Sequence, residues 1–142
     1  MHLASFTDYS LRVLIYLGLK ENQRSTVAEI ADKYQISKNH LVKIVHNLAT
    51  INLINSYKGK GGGIILAIPP EKINIGKLVK KLEKGSPLVE CFSDSSNCKI
   101  DSSCKLKRAL RLAEQQFYKS LEVYTLADII SNRYKLASDL SL

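Results

Sequence analysis

The chain has 142 residues, of which 45% are hydrophobic and 24% are charged, a balance that excludes an intrinsically disordered protein. No apolar run approaches the roughly 18 residues of a membrane-spanning helix, and the N-terminus shows no basic-then-apolar leader, so we expect a cytoplasmic protein with no membrane partner. The chain has 21 basic and 13 acidic residues, and 13 of the basic but only 6 of the acidic ones lie within residues 1–84. Most of the net charge of +8 therefore belongs to that part of the chain. This favours a polyanion partner for residues 1–84, and a solvated cationic surface is the alternative.

Two amphipathic segments at the N-terminus are predicted to form helices. The first, SFTDYSLRVLIYLGLKEN, is expected to be capped by Ser5 or Thr7 and to end near Glu21. Its buried face is formed by apolar residues at helical spacing: Leu11, Leu14 and Ile15. The second helix begins after Thr26, which forms a capping-box pattern with Glu29. Its buried stripe comprises Val27, Ile30, Ala31 and Tyr34.

A third helix, about residues 38–51, is predicted to follow a short turn, with Ser37 as its N-cap. Its apolar stripe is formed by Leu41, Ile44, Val45 and Leu48. No acidic residue lies between Lys33 and Pro70, so the opposite face is polar and basic. Two short capped helices joined by a tight turn favour a DNA-binding helix-turn-helix, with a generic helical hairpin as the alternative. The residues of this helix expected to contact DNA are Ser37, Lys38, Asn39, His40 and Lys43.

A basic hairpin is predicted directly after the third helix. LINSY and GIILAI are β-like runs, and the intervening KGKGGG supplies glycines for a tight connection. A hairpin in this position is the wing of a winged-helix domain, and its glycines leave backbone N–H groups open to phosphate. The wing residues expected on phosphate or in the minor groove are Lys58, Gly59, Lys60, Gly61 and Gly62.

Three more helices are expected after the wing. INIGKLVKKLEKG forms a fourth helix that ends at Gly85, and KLKRALRLAEQQFYKSLEVY forms a long helix of about twenty residues after Cys104. The long helix could bury its apolar seam against the same chain or against a copy of itself, and we favour dimerisation. The seam comprises Leu106, Leu110, Ala113, Phe117 and Leu121 or Tyr124. TLADIISNRYKL is expected to form a last short helix that packs on the dimer.

All three cysteines lie in one polar stretch, CFSDSSNCKIDSSC, residues 91–104. An odd number of thiols argues against a closed disulfide framework and for thiolates used as ligands or redox groups. Their spacing is wider than the C-x2-C pairs of zinc knuckles, whereas three thiolates on a polar loop can surround an iron–sulfur cluster. A thiol redox switch and a three-thiolate zinc site completed by His or Asp are the alternatives.

Three thiolates leave one iron of a cluster short of a ligand, which a carboxylate, an imidazole, water or a small thiol could supply. The candidates in the chain are His2, Asp8, His40, His46, Asp94 and Asp101. Taken by itself, Asp8 is interpreted as a first-turn carboxylate that meets the helix dipole, and His40 as a phosphate or base contact.

The predicted fold class is mainly α: a winged helix-turn-helix domain with a two-stranded wing, then a cluster-binding loop and a long dimerisation helix. We expect residues 1–84 to form the DNA-binding domain and residues 85–104 the cluster loop. Residues 105–142 are expected to form the dimerisation helix and the C-terminal helix.

The whole chain resembles the Rrf2-type family of bacterial winged-helix regulators. The resemblance is carried by SFTDYSLRVLIYL, ISKNHLVKIVHNL, KGKGGGIILA, the three-cysteine loop and YTLADI. It is strongest to the members that repress transcription until nitric oxide is present. The resemblance implies a homodimer with one iron–sulfur cluster per subunit, 4Fe–4S in these members and 2Fe–2S as the other option. It also implies that Cys91, Cys98 and Cys104 ligate the cluster, that Asp8 of the partner subunit is the fourth ligand, and that Arg12 supports the site.

The expected function is therefore a nitric-oxide-sensitive repressor that binds palindromic operator DNA and releases it when its cluster is nitrosylated. A related regulator that senses cluster supply or iron is one alternative. A winged-helix module that uses its thiols structurally, with or without zinc, is another. No Ser/His/Asp or paired-carboxylate constellation stands out, so we do not expect an enzyme.

Overall fold

The computed structural model describes residues 1–142 and contains seven α-helices and one two-stranded antiparallel sheet. The elements in chain order are α1 (Ser5–Lys20), α2 (Val27–Tyr34), α3 (Lys38–Thr50), β1 (Ile54–Tyr57), β2 (Gly63–Leu66), α4 (Ile75–Leu82), α5 (Lys105–Leu121), α6 (Leu126–Ile129) and α7 (Arg133–Asp139). Two short 3-10 turns, Pro70–Lys72 and Glu90–Phe92, lie before α4 and in the cysteine loop. A helix-turn-helix, a hairpin and a later long helix occur in the predicted order, which confirms the expected fold class.

Helix α1 is the central element of the core. It packs against α3, α4, α6, α7 and β2 and buries Val13, Leu14, Tyr16, Leu17 and Leu19. Because neighbours surround it, its buried face is broader than the predicted stripe, and Leu11 and Ile15 are only partly covered. The expected cap was wrong: Ala4 occupies the N-cap without a side-chain hydrogen bond, and Thr7 is fully buried inside the helix.

Helices α2 and α3 form the predicted helix-turn-helix. The Thr26 hydroxyl accepts a hydrogen bond from the Glu29 N–H at 3.1 Å, so this cap is confirmed. The Glu29 carboxylate does not complete a capping box, because it accepts a 2.5 Å hydrogen bond from the Tyr16 hydroxyl. Helix α2 ends at Gln35, which has a left-handed backbone conformation, and α3 buries the four apolar residues expected of it. Ser37 precedes α3, but its side chain makes no capping hydrogen bond.

The wing forms from β1 and β2, which pair from Ile54 opposite Leu66 to Tyr57 opposite Gly63. A third segment joins its inner edge. Ser25, in the α1–α2 loop, donates its N–H to the Ile64 carbonyl at 3.0 Å and accepts the Ile64 N–H at 2.8 Å. These two hydrogen bonds attach the start of β2, close to the wing tip, to the loop before the helix-turn-helix.

The C-terminal segment returns to the N-terminal core. The N–H of Leu126 donates to the Ile73 carbonyl at 2.8 Å, and Leu126 and Ile130 are buried in the same core as α1. Gly18 of α1 permits this approach, since a Cβ there would lie 2.9 Å from Ile130 Cδ1. The segment forms two short helices rather than one, and it packs on α1 of its own chain where we expected it on the dimer. The three-part division of the chain stays a prediction.

Helix α5 is the most exposed of the long elements. It packs against α4 through its C-terminal half, where Phe117 and Leu121 contact the core, and none of its 17 residues is fully buried. Towards its N-terminal half, Leu106 is 64% exposed and Leu112 is 53% exposed. Its pairing with a second copy stays a prediction. No helix of the structure is both long enough and apolar enough to span a membrane.

Candidate DNA-binding and cluster-binding surfaces

The residues predicted to contact DNA from α3 lie at its N-terminal end, and we call them the recognition face: Ser37, Lys38, Asn39, His40 and Lys43. All are exposed except His40, which is half-buried. Neither lysine belongs to an ion pair of the structure, and no acidic residue lies on α3. Because an unpaired ammonium group is free to bind phosphate, the recognition face can meet a polyanion without first breaking an internal contact.

His40 differs from the other recognition-face residues because it also contacts α1. Its ring lies edge-on to the ring of Tyr9, with the centroids 5.2 Å apart and the planes at 76°. Tyr9 is the residue after Asp8, so one aromatic contact joins the start of α1 to the recognition face. This geometry fixes the relative position of the two helices where both carry functional candidates.

The wing tip, residues 58–62, contains the remaining predicted DNA contacts. Lys58, Gly59, Lys60 and Gly61 are exposed, and Gly62 is partly covered. The tip closes through a 3.0 Å hydrogen bond from the Gly62 N–H to the Gly59 carbonyl. A Cβ at Gly62 would lie 2.4 Å from the Tyr57 carbonyl oxygen, so only glycine fits there. The two lysines, like those of α3, are in no ion pair.

Asp8 and Arg12 form an ion pair one helical turn apart on α1. Arg12 donates to both carboxylate oxygens, Nε to Oδ1 at 3.2 Å and Nη2 to Oδ2 at 2.8 Å. The hydrogen bond to Asp8 raises the pKa of Arg12, against an opposing effect of burial. The guanidinium also lies 5.5 Å from the Tyr9 ring centroid and 5.9 Å from that of Tyr34. Burial raises the pKa of Tyr34 to about 12, although Arg12 opposes the rise, so its phenol stays neutral.

The three cysteines are free thiols at or near the surface, but the single chain does not gather them. Cys91 lies in a 3-10 turn, Cys98 is exposed, and Cys104 is the N-cap of α5, where its Sγ accepts the Lys107 N–H at 3.3 Å. No three or more His, Cys, Asp or Glu side chains come together in a metal-binding arrangement. Asp8 and the three thiols therefore do not form a complete ligand set in one chain.

Side chains of α5 hold the cysteine loop at two points. Lys107 Nζ donates to Asp101 Oδ1 at 2.6 Å, and the Arg111 guanidinium lies 4.4 Å from the ring centroid of Phe92, next to Cys91. The three cysteine thiols are the type of ligand that an iron–sulfur cluster requires. Three unpaired thiols stand on a polar loop, one of them caps a helix N-terminus that favours thiolate, and cations lie beside them.

Several of these contacts were missed by sequence reasoning. Arg111 lies seven residues after Cys104, which places it on the same side of α5, so helical spacing could have indicated it. The Tyr9–His40 contact joins elements that are distant in the chain, and no local pattern marks it. The same is true of Arg24, which precedes Ser25 and lies against the wing.

Comparison with known proteins places these surfaces in a family context. The sequence model of the Rrf2 family, described as "Iron-dependent Transcriptional regulator", matches residues 3–132. The HTH-type transcriptional regulator NsrR of Oceanobacillus iheyensis is 46% identical over 138 residues, which cover 96% of this chain and 94% of the relative. NsrR of Bacillus subtilis is 42% identical over 135 residues, covering 94% and 92% of the two chains.

Solved structures of transcriptional regulators share the fold. The oxidised form of Staphylococcus aureus CymR superposes with a TM-score of 0.71 at 25% identity, covering 91% of this chain and 95% of CymR. IscR of T. potens gives a TM-score of 0.74 at 21% identity, covering 93% of this chain and 88% of IscR. These matches support the winged-helix architecture with its appended long helix.

Proposed function

The chain belongs to the Rrf2 family of iron-dependent transcriptional regulators, and on that premise we propose that it represses transcription as a homodimer on palindromic, double-stranded operator DNA in the bacterial cytoplasm. Its relatives are named transcriptional regulators, a class without enzymatic activity. Each subunit holds one iron–sulfur cluster, of the 4Fe–4S type, and nitric oxide relieves repression by nitrosylating it.

The proposed cluster ligands are Cys91, Cys98 and Cys104 of one subunit and Asp8 of the partner subunit. When bound, the cluster supplies thiolate-ligated iron that reacts with nitric oxide. A hard carboxylate oxygen is the weakest ligand in this set, so it is the first that the protein loses. Lys107 and Arg111 keep the loop against α5 through their contacts with Asp101 and Phe92.

A single observation carries the link between cluster and DNA: Tyr9, adjacent to Asp8, contacts His40 of the recognition face. A carboxylate that ligates across the dimer holds the start of its own α1 in place, and the Tyr9 ring extends that constraint to α3. Without that ligation Asp8 would pair with Arg12, as it does in the single chain, and the recognition face would not be fixed relative to the other subunit. A small loss of binding free energy is enough to end site-specific repression, because each tenfold decrease in affinity corresponds to about 1.4 kcal/mol.

The dimer and the DNA-binding surfaces fit one arrangement. On the predicted seam of α5, Leu106 and Ala113 are exposed and Leu110 is half-buried, so this part of the helix offers a seam for a second copy. A two-fold dimer presents two recognition faces to half-sites about 34 Å apart on a palindrome. The wing tip adds lysines and open backbone N–H groups for the flanking phosphates.

The decisive experiment is anaerobic purification, followed by absorbance and by iron and sulfide analysis, and then a nitric oxide titration monitored by operator binding. We expect a 4Fe–4S spectrum with about four irons per subunit and loss of operator binding as nitric oxide is added. Operator binding that is unchanged after all iron has been removed would contradict the proposal.

Other results of the same measurements would identify the alternatives. A 2Fe–2S spectrum, with binding that responds to iron starvation but not to nitric oxide, would indicate a regulator of cluster supply. Colourless protein with stoichiometric zinc would indicate a structural thiol site.

A further inference from the structure

Arg24, an exposed residue of the α1–α2 loop, contacts the wing. Its guanidinium carbon is 3.9 Å from the ring centroid of Tyr57, the last residue of β1. Its Nη1 donates a 2.9 Å hydrogen bond to the carbonyl of Gly61 at the wing tip. One side chain from outside the wing therefore contacts both a strand and the turn that follows it.

The wing has little else to hold its tip. Its strands have four residues each, and a two-stranded hairpin is marginally stable by itself in water. Gly59, Gly61 and Gly63 have φ values of 83°, 74° and 138°, and a chain of glycines has many other conformations open to it. The hydrogen bond from Arg24 is the only one that a side chain makes to residues 58–62.

The neighbouring backbone brings Arg24 into place. Ser25 pairs with Ile64 through two hydrogen bonds, and a Cβ at Gly63 would lie 2.9 Å from the Ser25 carbonyl oxygen and 3.3 Å from Arg24 Cβ. Glycine at position 63 thus permits the α1–α2 loop to lie directly on the wing. Backbone hydrogen bonds hold the start of β2 beside the tip, and the Arg24 side chain holds the tip itself.

We propose that Arg24 is a positioning residue for DNA binding, which holds the wing tip in one conformation so that Lys58 and Lys60 reach the duplex together. This rests on the proposed DNA-binding function and adds a role for a residue outside both DNA-binding elements. The role requires arginine, because its planar guanidinium stacks on Tyr57 while an N–H reaches Gly61. The ammonium of a lysine supplies the same charge without that planar stacking and fork of donors.

The first test measures the free protein, so it depends on neither DNA nor the cluster. Hydrogen exchange of the amides in residues 59–63 is compared among the parent, Arg24→Lys, Arg24→Ala and Tyr57→Ala. We expect faster exchange at the tip in all three variants, and unchanged exchange at Ser25 and Ile64. Gln23→Ala, in the same loop, is the control. Tip exchange equal to the parent in Arg24→Lys would overturn the proposal.

The second test measures binding to a duplex that the iron-loaded parent protein has selected from a random-sequence library. We expect Arg24→Lys to bind about tenfold more weakly, because the tip must now be ordered on binding, with an unchanged dependence of affinity on salt. The Arg24→Lys/Tyr57→Ala double variant should bind the duplex no more weakly than the single variant with the lower affinity, since both changes remove the same contact.

The contrary outcomes are distinct. If Arg24→Lys binds like the parent while Arg24→Ala loses about one unit of salt slope, Arg24 contacts phosphate directly and the positioning role is wrong. If the parent binds the duplex equally well with and without iron but the Arg24 variants differ as expected, the proposed cluster control fails and the role of Arg24 stands.

Discussion

Arg12 holds the carboxylate of Asp8 in the single chain, and in the proposed dimer this pair must open before the same oxygens can bind iron in the second subunit. Both side chains are more than a third exposed, at 43% and 41%. An exposed ion pair at i, i+4 contributes only about 0.3–0.5 kcal/mol to the stability of the protein, so opening it costs little. In the proposed dimer, iron ligation therefore competes with a weak partner, and Arg12 holds the carboxylate in place when it is not ligated.

Lys58 is the residue for which a purely electrostatic role can be measured. Since its ammonium pairs with no carboxylate in the protein, Lys58→Ala removes one predicted phosphate contact without leaving an unpaired partner. We expect weaker binding to every duplex and a salt slope lower by about one, measured by titration at several salt concentrations. Lys135→Ala, which removes the same charge from α7, is the control. An unchanged slope for Lys58→Ala would exclude that lysine from the interface.

Individual residues also mark the limit of what could be predicted from sequence. The Thr26 cap was predictable because donor and acceptor lie three residues apart. Ser5 and Thr7 offered the same local signal for α1, yet Ala4 occupies the cap, because packing around α1 buries Thr7. The contact of Tyr9 with His40 joins separate helices and has no local signature, so it was not predictable.

At the scale of elements, α5 has an apolar seam that its own chain leaves uncovered towards the N-terminal end. A leucine that moves from water into an interface contributes about 1.5–3 kcal/mol to the free energy of association. In a two-fold dimer each such residue occurs in both subunits, so its contribution is made twice. Leu106→Lys combined with Leu110→Lys should therefore convert the proposed dimer to a monomer in analytical ultracentrifugation and should lower operator affinity.

The control for this prediction is Tyr134→Lys, which changes a still more exposed apolar residue on α7. It should leave the dimer intact. A dimer that persists in the double leucine variant would show that subunits associate through another surface. Far-UV circular dichroism that matches the parent would establish that α5 itself still forms.

In the elements after the wing, the spacing of apolar residues predicted the helices but not where each helix packs. Helical spacing identified α4 and α5 and the apolar residues of each. It did not identify where the C-terminal segment packs, because Leu126 and Ile130 read equally well as part of a dimer seam or of the core. Gly18 decides between them, since the absence of a side chain on α1 creates the space that Ile130 fills.

For the whole molecule, the proposed cluster ligands are the part that a single chain leaves incomplete. Three thiols lie on the loop before α5 and Asp8 lies on α1, and no three such side chains form a metal-binding group within one chain. This is expected if the carboxylate serves the other subunit of the proposed dimer. Residue spacing alone could not assign the fourth ligand, because a ligand from a second subunit leaves no pattern in the spacing of one chain.

A mixed dimer tests this arrangement directly. In Asp8→Ala and in Cys98→Ala homodimers, neither site has all four ligands, so both should contain less iron and sulfide than the parent after anaerobic purification. A heterodimer of the two variants, isolated with different affinity tags, combines the three thiols of the Asp8→Ala subunit with Asp8 of the Cys98→Ala subunit. If ligation crosses the dimer, one of its two sites is complete, and we expect about half of the parent's iron content and absorbance.

If each subunit instead used its own Asp8, neither site of the heterodimer would be complete, and its iron content would match that of the homodimeric variants. Asp94→Ala, which changes a carboxylate within the loop, is the matched control and should retain iron. Full iron in the Asp8→Ala homodimer would exclude Asp8 as a ligand altogether. The heterodimer therefore separates ligation across the dimer from ligation within one subunit by a count of iron atoms, independently of any measurement on DNA.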